Sequence, residues 1–252
     1  MSVLLYTENW DGKFKKLTVE LASYASGLAE MLGTGVTAVS IGRVDEQELK
    51  KLGSYGVEKV LKCEGAEHFD TRIYAKILTV AAEKEGANIV LMANNNAGKA
   101  ISPRLSARLK AGIASGVSGL PVSLEPFIIK KRAFSGNAVA ATEIKSEKKI
   151  LSLSQNSFDI KEKSVDAVIE EFETGIDYSG SEIEVKEVEK QGGKLLLTDA
   201  EIVVSGGRGM KSPDNWAPIE ELADLPGGAT ACSRPVSDEG WRPHEEHTGQ
   251  TG

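Results

Sequence analysis

Ala200-Glu201-Ile202-Val203-Val204 runs directly into Ser205-Gly206-Gly207-Arg208-Gly209-Met210-Lys211-Ser212-Pro213. Ala200 to Val204 reads as an apolar strand, and the glycines after it read as a tight loop. Ser212 is a good helix N-cap and Pro213 suits a first helical turn. Ile219, Leu222 and Ala223 give the following helix an apolar face, Pro226-Gly227-Gly228 ends it, and Ala229 to Cys232 makes the next strand. Strand, glycine loop, helix and strand in this order form a βα unit, so the fold class is α/β. Such a loop is also a ready anion site. Glycines let backbone N–H groups turn to a ligand, the helix start adds partial positive charge, and Arg208 supplies a full one.

Upstream, the first 120 residues alternate short apolar runs with helical patterns. Val3–Tyr6, Val36–Ile41, Val57–Leu61 and Ile89–Met92 are predicted strands. Leu17, Leu21, Leu28, Met31 and Leu32 recur at helical spacing up to Gly33. Asp45–Leu52 is a short helix, and Ile73, Ile77, Leu78 and Ala81 mark another that stops near Gly86. Repeated units of this length imply a parallel, Rossmann-like sheet with right-handed crossovers. Pro121–Arg132, Asn137–Ile144 and Lys149–Gln155 read as strands, expected to be antiparallel or edge additions. Residues 173–194 are polar and glycine-containing, with one possible short strand at Ile183–Val188, and mark a domain boundary. Domain one is thus expected over 1–188 and a doubly wound domain two from 193 to 252.

With 252 residues, 40% hydrophobic and 27% charged, the chain can bury a real core. The net charge of −7 and the absence of a basic tract leave a nucleic-acid role without its electrostatic footprint. Lys130, Lys131 and Arg132 form the densest basic run, expected on an exposed strand or hairpin. Cys63 and Cys232 make neither a disulfide framework nor a zinc pattern, and a reducing, cytoplasmic setting fits. The N-terminus carries no apolar run long enough for a signal peptide or a membrane span, so no membrane insertion is expected. His244-Glu245-Glu246-His247 lacks the histidine spacing of HExxH and reads as a solvated loop, with no metal. Glu170-Glu171-Phe172-Glu173 reads as a solvated helix end. Cys232 reads as a small buried residue and His68 as a surface one.

Familiar phosphate loops fit residues 205–212 poorly. A Walker A loop needs Gly before its Lys, where Met210 stands. A dinucleotide fingerprint wants an acid at the end of the next strand, but that strand ends in Cys232-Ser233-Arg234. The SGGxDS loop of adenylating enzymes has an acid and a serine where this chain has Arg208-Gly209. An adenine-nucleotide-binding enzyme using the SGGRG loop is nevertheless one alternative.

Val204-Ser205-Gly206-Gly207-Arg208-Gly209, then Ala231-Cys232-Ser233-Arg234, then Gly249-Gln250-Thr251-Gly252 resemble the successive flavin loops of electron transfer flavoprotein alpha subunits. Phe134-Ser135-Gly136-Asn137-Ala138 is similar to a stretch of that subunit's first domain. The resemblance covers essentially the whole chain. It implies FAD as cofactor, with Arg208, Ser233, Arg234, Thr248, Gly249, Gln250 and Thr251 around it. Arg234 is implied as the cation beside the isoalloxazine ring, where it stabilises the reduced, more negative form. The Thr251 hydroxyl is implied at the ring edge. It further implies a heterodimer with a beta subunit that carries AMP, so that the first domain of this chain holds no nucleotide. Flavin dehydrogenases such as the acyl-CoA dehydrogenases of fatty acid β-oxidation would be donors and a quinone oxidoreductase the acceptor. The protein would be an electron carrier, not an enzyme with its own substrate. Family members continue past the GQTG loop, so the FAD-binding domain is expected to be incomplete at Gly252. A docking fragment that does not hold FAD is the other alternative. His247-Thr248 stands where the family more often has Gln-Val.

Overall fold

The computed structural model describes residues 2–66, 68–178, 183–187, 197, 200 and 202–249. The chain divides into two compact units, Met1–Val185 and Lys186–Gly252.

In the first unit, β1 (Val3–Thr7) is followed by a small hairpin, β2 (Asn9–Trp10) and β3 (Lys13–Phe14), and then by α1 (Lys16–Leu32). Gly33 closes α1 in the left-handed conformation at φ 65°, returning its N–H to the carbonyls of Ala29 and Glu30. Next come β4 (Val36–Ile41), α2 (Glu46–Lys50) and β5 (Lys59–Cys63). The carboxylate of Asp70 accepts from the Arg72 and Ile73 amides and so starts α3 (Thr71–Lys84). Then follow β6 (Ile89–Ala93) and α4 (Asn96–Leu109), capped by Asn95, whose side chain accepts from the Gly98 amide. β7 (Gly112–Val117), β8 (Ser123–Leu124), β9 (Phe127–Ala133), β10 (Ala138–Glu143), β11 (Lys149–Leu153) and β12 (Val168–Glu171) complete the sheet.

The sheet order is β10-β9-β7-β11-β6-β1-β4-β5-β12, with β8 paired to β9. From β7 to β12 every pairing is parallel. Alternation along β1 explains how it is covered. Val3 and Leu5 join the core beneath α1, with Leu21, Ala25 and Leu28. Leu4 and Tyr6 join the opposite core, with Ile77 and Leu78 of α3 and Leu105 of α4. Both faces of the strand are apolar because both are roofed by helices. On the α1 side, buried Glu20 accepts the amides of Asn156, Ser157 and Phe158, tying the segment after β11 to the helix.

The α/β class and mainly parallel sheet are as read. Lys130, Lys131 and Arg132 lie in β9, whose hairpin with β10 is antiparallel at one sheet edge. Three expectations are corrected. Lys149–Leu153 is no edge strand. It runs parallel between β6 and β7, with Ile150, Leu151 and Leu153 fully buried and Ser152 bonded to Asn94 at 3.3 Å. Glu170 to Glu173 is no helix end. Glu170 and Glu171 belong to β12 and Phe172 is buried in the core. Residues 183–187 form no strand, and residue 188 lies outside the described residues.

The second unit holds β13 (Val203–Gly206), α5 (Ala217–Asp224), β14 (Ala229–Cys232) and α6 (Arg234–Asp238). Ser212 caps a short 3-10 turn, Pro213–Asn215, ahead of α5. The strands pair in parallel, from Val203 opposite Ala229 to Gly206 opposite Cys232. Trp216, Cys232 and Val236 are its buried hydrophobic cluster among the described residues, packed by Met210, Ile219 and Trp241. Leu222, expected on the apolar face of α5, is exposed, and Ala223 is the residue of that helix that is buried.

Candidate functional site

Parallel pairing puts the ends of β13 and β14 side by side, and with them the two loops that follow. The Ser233 amide donates to the Gly206 carbonyl at 3.0 Å, which holds Ser233-Arg234 next to Gly206-Gly207-Arg208. A third segment joins them, since Cys232 and His247 form a parallel bridge and the Thr248 amide donates to the Cys232 carbonyl at 2.9 Å. Three loops distant in sequence therefore converge at the carboxyl ends of one parallel sheet, where doubly wound folds bind ligands. Arg208, Ser233, Arg234, Thr248 and Gly249 are among the described residues, while Gln250 and Thr251 lie outside them.

Each glycine has its own reason. A Cβ on Gly206 would stand 2.6 Å from the Trp216 indole, closer than carbon atoms approach. At Gly207 a Cβ would meet Ser233 Oγ only at 3.5 Å, so its bareness leaves the backbone open between the two loops. Arg208 reaches Glu239 at 3.9 Å with its side chain 66% exposed, and Arg234 Nε donates to Asp238 at 3.2 Å with its side chain 61% exposed. Such exposed pairings are weak. The Arg208 guanidinium can turn to an anionic ligand at little cost.

Behind the loops stands a support that sequence reasoning missed. Arg242 makes a two-pronged contact to Glu246, at 2.6 and 2.7 Å, and a further bond to Glu220 at 2.9 Å. Its guanidinium also lies over the Trp216 ring at 5.7 Å. Glu246, the first cause, and then Glu220 raise the Arg242 pKa. His244–Glu246 is thus a 3-10 turn rather than a solvated loop, with Glu246 buried and His244 Nδ1 2.7 Å from Ser237 Oγ. The four-residue spacing of Arg242 and Glu246 was the available signal. Cys232 is fully buried, as read, and burial pushes its thiol up. No group of three or more metal-ligating side chains occurs among the described residues.

Of the three buried side-chain polar atoms without a hydrogen-bond partner among the described residues, Ser40 Oγ lies in the first unit and two, Trp216 Nε1 and His247 Nε2, lie in the second. Unpaired buried polar groups are costly, and His247 immediately precedes Thr248-Gly249. An unpaired nitrogen beside three converging loops, two exposed guanidiniums and an open glycine backbone suit a large anionic ligand rich in hydrogen-bonding groups. FAD is one.

The comparisons agree with this geometry. A family model described as the electron transfer flavoprotein domain matches residues 3–176, and one described as the electron transfer flavoprotein FAD-binding domain matches residues 196–252. The chain is 28% identical to an electron transfer flavoprotein subunit alpha of Thermoanaerobacterium thermosaccharolyticum, over 99% of this chain and 78% of that protein. It is 29% identical to the corresponding subunit of Clostridium acetobutylicum, over 99% and 77%. A subunit of the lactate dehydrogenase (NAD(+),ferredoxin) of Acetobacterium woodii is 28% identical over 95% of this chain and 59% of that one. The chain therefore belongs to the electron transfer flavoprotein family, as a protein of the alpha-subunit type whose cofactor is FAD.

Proposed function

We propose that the chain works as an electron-carrying subunit, with no substrate of its own, that holds FAD in a heterodimer with a beta subunit. The observation that carries this reading is the convergence of Gly206-Gly207-Arg208, Ser233-Arg234 and Thr248-Gly249 at adjoining strand ends. FAD, when bound, supplies the electron-accepting and electron-donating chemistry. The protein's part is to hold and tune it. The backbone amide at Gly207 and the guanidinium of Arg208 bind anionic oxygen. Arg234 places positive charge where reduction adds negative charge, which favours the reduced form. Thr248, Gly249, Gln250 and Thr251 complete the loop along the cofactor.

Electrons would come from a flavin dehydrogenase and pass to an acceptor such as a quinone oxidoreductase. Acyl-CoA dehydrogenases are one donor class. The name of the lactate dehydrogenase subunit from Acetobacterium woodii suggests a 2-hydroxy acid dehydrogenase as another. The proposed setting is the cytoplasm, and among the described residues no helix is long and apolar enough to cross a membrane.

The test is a visible spectrum of the chain co-expressed with its beta subunit, followed by dithionite titration. Oxidised flavin bands that bleach on titration are expected. In Arg234→Ala the midpoint potential should fall by roughly 30 mV, the equivalent of about 1.4 kcal/mol for two electrons. A complex that is colourless after incubation with FAD would sink the reading and leave a docking fragment. An unchanged potential in Arg234→Ala would remove the tuning role alone.

A further inference from the structure

β12 ends at Glu171, but its in-and-out alternation continues. Phe172, Thr174, Ile176 and Tyr178 turn inward, while Glu171, Glu173, Gly175 and Asp177 are exposed. The Phe172 amide donates to the Lys62 carbonyl at 2.7 Å, which keeps the chain beside β5 as it leaves β12. Phe172 is buried, and Ile176 and Tyr178 pack onto the core that holds Leu61, Cys63 and Ala66. The Ile176 amide donates to Thr174 Oγ1 at 3.3 Å. Residues 183–187, by contrast, are exposed throughout, and the second unit begins at Lys186. Among the described residues, Tyr178 is therefore the last side chain before the second unit that is not exposed.

Tyr178 is held at three points. Its Oη lies 3.2 Å from Cys63 Sγ and 2.7 Å from Thr174 Oγ1. Cys63 is the last residue of β5 and is buried, so the hydroxyl reaches the edge of the core. The third point is the ring, which lies against Gly65. A Cβ at that position would overlap the Tyr178 ring carbons, so a side chain at 65 and the ring exclude one another. The backbone at Gly65 lies outside the left-handed region, and its conformation gives no separate reason for a glycine there. Burial first, and then the hydrogen bond with Cys63, raises the Tyr178 pKa. The phenol thus keeps its proton, and one hydroxyl can donate to one partner while accepting from the other.

We propose that Tyr178 is a latch that fixes the point at which the chain leaves the first unit's sheet for the second unit. Closed, it ties the segment to Cys63 and Gly65. Open, it adds residues 173–178 to the free chain and gives solvent a path to the Cys63 thiol. The latch opens without unfolding the sheet, because two hydrogen bonds and one ring contact hold it, while Phe172 ahead of it stays buried. In the flavin reading this segment tethers the unit that holds the cofactor. The latch itself does not rest on that reading.

The test is labelling of the full, folded chain with iodoacetamide, read separately at Cys63 and Cys232 by peptide mass spectrometry. Cys232 is buried in the second unit and serves as the internal reference. Tyr178→Ala should speed labelling of Cys63 about thirtyfold, the joint effect of losing a half-buried ring and its hydrogen bonds. Tyr178→Phe keeps the ring on Gly65 and should speed it only about fivefold. Gly65→Ala leaves the tyrosine in place but displaces its ring, so it should reproduce Tyr178→Ala, and the double variant should add nothing further. Trypsin cleavage after the exposed Lys186 should quicken in the same variants, because the free chain is longer. Labelling of Cys63 in Tyr178→Ala at the wild-type rate overturns the proposal. So does wild-type labelling in Gly65→Ala, or equal acceleration at Cys232, which would mean loosening of the whole chain. Faster labelling with unchanged trypsin cleavage would leave a cover on the thiol but no latch on the connection, and overturns it too.

Discussion

A methyl group at Gly206 would stand 2.6 Å from the Trp216 ring. Trp216 is itself buried against Cys232 and Val236, so it has nowhere to retreat. Gly206→Ala should therefore destabilise the second unit by about 1–3 kcal/mol, the usual cost of overfilling a packed site. Urea unfolding followed by tryptophan fluorescence measures it. An unchanged midpoint would mean that the indole does not hold the strand end in place. The same variant should weaken FAD binding, because Gly206 accepts the Ser233 amide and so sets the spacing between the two loops. Arg208 stands out in the sequence because a glycine loop carries its chemistry in local order, whereas Arg234 is singled out only through the family resemblance. Arg242 does not stand out. Its partner Glu220 lies 22 positions away and its packing on Trp216 is a tertiary fact.

Among the elements, β12 illustrates how charge can hold an edge strand. Glu170 meets Lys59 at 3.1 Å and also Lys84, while Glu171 meets Lys62 at 3.1 Å. The hydrogen bond from Lys84, and after it the one from Lys59, holds the Glu170 pKa below its ordinary 4.5. A folded-state pKa lower than the unfolded one stabilises the fold above about pH 4.5, and that contribution disappears as pH falls below it. Amide protection factors in β12 should thus drop between pH 6 and pH 3.5 more than those of β6 or β11, whose strands are apolar. Added salt at pH 6 should reproduce part of the loss, because these pairs are exposed. Uniform loss of protection across the sheet would refute the local account. The contrast with β11 explains what sequence reading gained and missed. Ile150-Leu151-Ser152-Leu153 reads as an apolar strand in either position, and the antiparallel hairpin just before it suggested an edge. Its insertion between β6 and β7 is decided by long-range pairing, to which period and composition are blind. Residues 97–117 received no assignment from sequence for another reason. Gly98 and Pro103 lower the local helix preference, yet α4 forms because Ile101, Leu105 and Leu109 are buried against the sheet.

At the scale of the molecule, the two units differ greatly in buried apolar content. Each face of the large sheet carries its own extended core. The second unit's described cluster is Trp216, Cys232 and Val236 with their neighbours. Hydrophobic burial is the main stabilising term, so the second unit should unfold first. The tryptophans make this measurable. Trp216 and Trp241 report on the second unit, whereas far-ultraviolet circular dichroism is dominated by the helices of the first. In urea, fluorescence should change at lower denaturant than the circular dichroism signal. A ligand held by one unit stabilises only that unit, by about 2.7 kcal/mol at one hundred times its dissociation constant. FAD should accordingly move the fluorescence transition toward the circular dichroism transition and leave the latter in place. Coincident transitions without ligand would mean that the units unfold as one. A shift of both by FAD would mean that flavin binding is coupled to the large sheet.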